Sequence, residues 1–256
     1  MSNQVDKDQF QTPMMIQYLE IKKQYSDCIL FFRLGDFYEM FLDDAKVGSE
    51  VLDITLTARS RGKDGAIPMC GVPFHAVDSY LSKLVSAGYK VALCDQVSLP
   101  DGKGLVKREV IRVITPGTNL NDKGLEKKKN NYIIAIDYLT SILSIVICDL
   151  GTGEISFLEE EKIDFTRAKQ IIDDLFSKIK PVEGIVKDEF YFDKKKMDLF
   201  SNYSDFFIYN FEDWNKYTNN YSIRLQEIFN VKSLKNISLE DKPLTAKVCS
   251  VLLGYL

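Results

Sequence analysis

Histidine is almost missing from this 256-residue chain, and that scarcity excludes more chemistry than any abundant residue suggests. The single one, His75, cannot build a histidine-rich metal centre or an H-E-x-x-H site. Cysteine is sparse too: Cys28, Cys70, Cys94, Cys148 and Cys249 form no C-x-x-C pair. A zinc ribbon, a thioredoxin-type site and a disulfide framework are therefore set aside, and the five read as small buried hydrophobes. No G-x-x-x-x-G-K-[ST] run occurs, so the chain carries no recognisable phosphate loop. No apolar run approaches the roughly 20 residues of a membrane-spanning helix. The first eleven residues lack the apolar stretch of a secretory leader, so the expected location is the cytoplasm. Charge of one sign is also lacking. With 33 basic and 37 acidic side chains the net charge is −4, which does not describe a polycation that coats nucleic acid.

What is present is an ordinary globular composition, 45% hydrophobic and 27% charged. The length suits two domains of roughly 100–200 residues. Thr12-Pro13 has the N-cap and first-turn signature of a helix reaching about Tyr25. CILFFRL and DFYEMFL follow, two strands around Gly35-Asp36. A helix over 43–52, a basic glycine-bearing loop to residue 65, a strand IPMCGVP, a helix over 76–86 and two more strands complete a mixed α/β unit. TPGTNLNDKGLEKKKNN, from Thr115, has the proline, glycine and polar content of a linker, placed over 117–130, and separates it from YIIAIDYL, SILSIVICDL and EISFLEE, which read as an antiparallel meander. Helix and strand then alternate, as in a ribonuclease H-like fold, with Lys194-Lys195-Lys196 as a solvated loop. The apolar LTAKVCSVLLGYL calls for protein around it, and the expectation is that the chain opens a longer one.

The most specific run is FRLGDFYEMF (32–41), followed by IPMCGVPFHAV (67–77) and VITPGT (113–118), with TPMMIQYLEIK ahead of them. This ordered set resembles the MutS family of DNA mismatch-repair proteins, closely over 12–118 and more weakly onward. The resemblance implies a mixed-sheet α/β mismatch-recognition domain over 1–116 and the linker over 117–130. It implies a ribonuclease H-like α/β connector over 131–242 and the start of a helical core over 243–256. The family's mismatch reader, Phe-x-Glu, is matched by Phe37-Tyr38-Glu39. Residues two apart on a strand share a face, so Phe37 and Glu39 point together. A phenyl ring there can wedge at a poorly stacked base step. Glu39 is expected to contact the mispaired base, with a pKa raised by bound DNA so that it can donate a hydrogen bond. Arg59, at a basic position of the family, with Arg61 and Lys63 beside it, is expected on phosphates, and Leu34 and Met69 near the groove.

The resemblance further implies no cofactor and no enzymatic activity in this chain. ATP, Mg2+ and a DNA-dependent ATPase are assigned to the rest of a full-length protein. Expected partners are mismatched duplex DNA, a MutL-type matchmaker at the connector and a second copy in a homodimer, in the bacterial cytosol near the nucleoid, with no membrane. A different pattern competes in each unit. Phe-Tyr-Glu in an aromatic strand also describes core packing, which exposure of Phe37 would decide. Asp137, Asp149 and Asp173 could serve a metal-dependent nuclease if Asp137 and Asp149 converged, and a protein-docking module without DNA specificity is the other reading. Lys103, Lys107, Arg108 and Arg112 form a second basic cluster, read as a solvated face. His75 is given a structural role. Gly151-Thr152-Gly153-Glu154 departs from the family's Ser-Thr-Gly-Glu turn.

Overall fold

A computed structural model describes residues 12–59, 66–97, 106–118 and 131–256. The chain divides into two compact units, Met1–Leu125 and Glu126–Leu256.

In the first unit the order is α1 (Pro13–Gln24), β1 (Cys28–Leu34), β2 (Phe37–Phe41), α2 (Leu42–Leu52), β3 (Thr57–Arg59), β4 (Ile67–Pro73), a 3-10 turn (Phe74–Ala76), α3 (Val77–Ser86), β5 (Lys90–Gln96) and β6 (Arg108–Ile114). The sheet runs β3-β4-β2-β1-β5-β6. Only β1 and β5 pair in parallel, which is where α2 and α3 intervene in the chain. Alternation sorts the side chains. Ile29, Phe31, Tyr38 and Met40 join Leu52, Leu81 and Leu84 on the α2–α3 side. Leu30, Phe32 and Phe41 join Met15 and Tyr18 of α1 on the other. Thr12 caps α1, accepting from Met15 N at 3.4 Å. The helix is tied down by Asp44, which accepts from Tyr18 Oη (3.2 Å), Lys22 Nζ (2.9 Å) and Leu30 N (3.0 Å). The three residues of β3, all exposed, lie where the sequence suggests only loop.

The second unit opens with the expected meander, β7 (Tyr132–Leu139), β8 (Ile142–Asp149) and β9 (Glu154–Glu160). α4 (Phe165–Ile179), β10 (Glu183–Val186), α5 (Asp188–Tyr191), α6 (Lys194–Met197), β11 (Phe207–Asn210), α7 (Trp214–Thr218), α8 (Tyr221–Ile228) and α9 (Pro243–Tyr255) follow. The sheet order is β11-β10-β7-β8-β9, with β7, β10 and β11 parallel, the ribonuclease H-like arrangement. Ile134, Ile136, Ile145 and Ile147 face Ile172 and Phe176 of α4. Ile133, Ala135, Val146 and Cys148 face Val248 and Leu252 of α9. Residues 243–256, set apart in the sequence as the start of a helical core, thus form α9 and bury Val248, Val251 and Leu252 within this unit. Its buried hydroxyls are satisfied, Thr245 by Ser144 at 2.8 Å and Ser250 by the Tyr217 carbonyl at 2.7 Å. The lysine run, expected as loop, is the short helix α6, capped by Asp193. All five cysteines are buried and free.

Candidate nucleic-acid interface

The β1–β2 hairpin closes on two residues, since Leu34 pairs with Phe37. Gly35 takes φ +61°, while Asp36 stays outside the left-handed region, as in a type II′ turn. A side chain at position 35 would strain that backbone, although no atom crowds it. The turn is pinned from outside by Phe74 N, which donates to the Asp36 carbonyl at 2.8 Å.

Alternation then separates the three residues of the motif. Tyr38 is 1% exposed and packs into the α2–α3 core, whereas Phe37 is 46% exposed. α1 covers this face of β2 only as far as Phe41, which rests on Tyr18 at a ring separation of 5.0 Å. Beyond that cover Phe37 and Glu39 stand on the same side of the strand, beside a groove of about 620 Å³. Gly71 of β4 lies opposite Glu39 in the ladder, and a Cβ there would come within 3.4 Å of Glu39 Cγ. Glycine therefore leaves the groove open next to the carboxylate. Asp53, Thr55 and Thr57 complete its wall.

Glu39 is an unusual carboxylate. Its Oε2 atom is buried with no hydrogen-bond partner among the described residues, and Arg59 Nη1 approaches it only to 3.9 Å. Burial raises its pKa above the ordinary glutamate range, and the Arg59 charge works against that rise without cancelling it. The shift favours the protonated carboxyl relative to a free glutamate. Arg59 itself is half exposed at the end of β3.

Each sequence expectation can now be placed. Phe37, Glu39 and Met69 line one groove, and Arg59 meets it only through its 3.9 Å approach to Glu39; Met69 pairs with Phe41 and is half-buried, partly against the α1-side core. Leu34 stands across from Phe37, half-buried on the same face. Arg61, Lys63 and Lys103 lie outside the described residues. The second basic cluster is not one surface. Arg108 is buried, donating from Nε to the Arg33 carbonyl (2.6 Å) and from Nη1 to Gln17 Oε1 (3.1 Å), with Phe32 under its guanidinium. Lys107 pairs with Glu109, and Arg112 is exposed. His75 is exposed in the 3-10 turn after β4. Asp53, Thr55, Thr57 and Gly71 carry no sequence signal for the groove, because tertiary pairing gathers them: Gly71 arrives through β2–β4, Thr57 through β3–β4, and Asp53 and Thr55 on the connection from α2 to β3.

In the second unit the carboxylates disperse. Asp137 pairs across the ladder with Ser144, and Asp149 with Tyr132, so they sit at opposite ends of the β7–β8 pair, roughly 16 Å along the strands. They also face opposite sides, Asp137 with Ile133 and Ala135, Asp149 with Ile145 and Ile147. Asp137 is paired with Lys187 at 2.9 Å, Asp149 accepts from Gly151 N at 2.9 Å, and Asp173 accepts from Tyr203 Oη. The convergence that a two-metal nuclease requires is not met. Among the described residues no group of three or more metal-ligating side chains is gathered. The Gly151–Glu154 turn forms, with Gly153 at φ +74° and Thr152 Oγ1 accepting from Glu154 N at 3.2 Å.

Comparison with known proteins matches the MutS domain I family model to residues 12–123 and the MutS domain II model to residues 131–256. The chain belongs to the MutS family. A DNA mismatch repair protein MutS of Lachnoclostridium phytofermentans is 43% identical over 247 residues, 96% of this chain and 26% of the relative. The MutS protein of Clostridioides difficile is 43% identical over 261 residues, 99% and 25% respectively. That of Acetivibrio thermocellus is 50% identical over 203 residues, 79% and 23%. The chain spans about a quarter of the length of these curated relatives. Among the described residues no helix is long and apolar enough to cross a membrane.

Proposed function

We propose that this MutS chain recognises mispaired or looped duplex DNA, with Phe37 as wedge and Glu39 as base contact. The observation that carries the reading is the exposure of Phe37, 46% against 1% for its neighbour Tyr38. A core phenylalanine would be inside. A solvent-facing phenyl beside an unpartnered carboxyl oxygen is suited to a ligand with a stacking face and a hydrogen-bond acceptor, which is what a base edge offers.

The wedge discriminates through cost. Inserting a ring at a base step unstacks and kinks the duplex, and a mispaired step yields more cheaply than a matched one. Glu39, its pKa already raised by burial, enters a field of phosphates that raises it further, so that it meets the base protonated and donates. Arg59, together with Arg61 and Lys63, holds the backbone without reading sequence. The groove beside Gly71 gives room for the displaced base edge.

The same proposal gives the second unit the role of a connector that docks a MutL-type matchmaker and performs no chemistry. ATP and Mg2+ binding, homodimer formation and a DNA-dependent ATPase fall to the remainder of the full-length protein, working in the cytosol near the nucleoid. The test is equilibrium binding of heteroduplex against homoduplex by the full-length gene product, parent and Phe37→Ala. Loss of the preference in the variant is expected. An undiminished preference would leave a docking module without DNA specificity of its own.

A further inference from the structure

On the face of the hairpin opposite Phe37 stands a cluster of side chains that takes no part in the groove. The Arg33 guanidinium lies 3.5 Å from the centroid of the Phe74 ring and 5.4 Å from that of Tyr38. Its Nε donates to the carbonyl of Gly35, inside the turn, and its Nη1 reaches Asp95 Oδ2 at 4.0 Å. Tyr38 Oη donates to the same Asp95 oxygen at 3.0 Å, and the Tyr38 and Phe74 rings are 6.0 Å apart. Phe74 closes the arrangement through its backbone, donating to the Asp36 carbonyl. Both residues of the turn that ends at Phe37 are thus held by Arg33 or Phe74. Phe74 is 44% exposed, an apolar surface that packing alone does not call for.

We propose that Arg33 and Phe74 are positioning residues for mismatch discrimination, a brace that fixes the direction in which the Gly35–Asp36 turn presents Phe37. This rests on the reading of Phe37 as the wedge. The physical argument is one of preorganisation. A wedge selects soft steps over stiff ones only if the ring resists being pushed aside; on a yielding hairpin the protein bends in place of the DNA, and matched and mismatched duplexes become alike. A planar guanidinium suits the task because it stacks on an aromatic face while its N–H groups reach the turn carbonyl and Asp95. Lysine has the charge but neither the plane nor the fork.

The experiment measures heteroduplex and homoduplex affinity across a salt series for the full-length gene product carrying Arg33→Lys, Arg33→Ala, Phe74→Leu, Phe74→Tyr or Phe37→Ala. The brace predicts that Arg33→Lys and Phe74→Leu lower the heteroduplex-to-homoduplex ratio by about twofold to fivefold, the range of a cation–ring contact at a partly exposed site. Homoduplex affinity and the salt slope stay at the parental values, and Phe74→Tyr, which restores the ring, restores the ratio. An unchanged ratio in both Arg33→Lys and Phe74→Leu, with Phe37→Ala losing it, overturns the brace and leaves the wedge standing. Retention by Arg33→Lys, with Arg33→Ala weakening both duplexes equally and flattening the salt slope, also overturns it, in favour of a direct phosphate contact. A full ratio in Phe37→Ala removes wedge and brace together. Homoduplex affinity doubles as the folding control, because a misfolded variant loses both duplexes in proportion.

Discussion

Glu39 occupies a position that its neighbours do nothing to satisfy: one oxygen is buried without a partner, and the nearest cation stops at 3.9 Å. The folded protein therefore takes up a proton at Glu39 more readily than the unfolded chain does. The contribution of Glu39 to stability falls as pH rises from the ordinary glutamate range through the raised value, since over that window this group binds more proton in the folded state. Glu39→Gln removes the charge and should stabilise the first unit at neutral pH by up to about 1 kcal/mol, the scale of one buried unsatisfied polar group. Urea unfolding at pH 7 and pH 4 checks this, with the gain shrinking toward the acid end. A variant less stable at pH 7 would show that Glu39 is held by contacts the geometry lacks. Much of this residue-scale picture was legible in the sequence. Strand alternation alone placed Phe37 with Glu39 and turned Tyr38 away. The missing hydrogen bond was not legible, because it depends on how far α1 reaches and on glycine at position 71.

At the level of elements, legibility followed the number of side chains each one buries. β1 carries a continuous apolar run and α3 a periodic one, and both are legible within a residue or two of their ends. β3 exposes all three of its residues, α7 buries only Trp214 and α8 only Leu225, so no periodicity was available to find them. Arg108 failed differently: in sequence it belongs to a basic run, but its strand register turns it inward onto Gln17 and Phe32. The cap of α1 is legible in Thr12-Pro13, whereas the cap of α4 emerges only in the structure. Asp164 accepts from Arg167 N at 2.8 Å at the start of α4, and Asp164→Ala should cost about 1 kcal/mol in chemical denaturation of the second unit. The pairing of Asp137 with Lys187 at the end of β10 invites a sharper test. Lys187→Met leaves a buried carboxylate uncompensated and should cost about 3 kcal/mol, while Asp137→Asn with Lys187→Met recovers most of it. Equal losses in the single and double variants would mean that packing, and not charge, is at stake.

For the molecule as a whole, charge is the quantity that first argued against nucleic acid. The chain carries −4 overall, and residues 1–122 carry −2, so attraction to DNA has to be local. If Arg59, Arg61 and Lys63 are the phosphate contacts of the first unit, the affinity of the 256-residue chain for DNA should fall with salt at a logarithmic slope of about −2 to −3. Arg59→Ala should reduce that slope by about 1. A slope much steeper than this would point to a basic surface elsewhere. The division into two units, each with its own sheet, followed from the polar linker, and the ribonuclease H-like order of the second from its meander. The separation of Asp137 from Asp149 did not follow from the sequence, because only the register shows them parting to opposite ends and faces. The central claim is that Phe37 stands at the mispaired step, and it can be tested by location. Position 37 is replaced by a photo-crosslinking phenylalanine analogue in the full-length gene product, bound to a duplex with a single mismatch, and the crosslinked nucleotides are mapped. The account predicts crosslinks concentrated at the mispair and its immediate neighbours. Crosslinks spread evenly along the duplex, or unchanged when the mismatch is repaired, would contradict it.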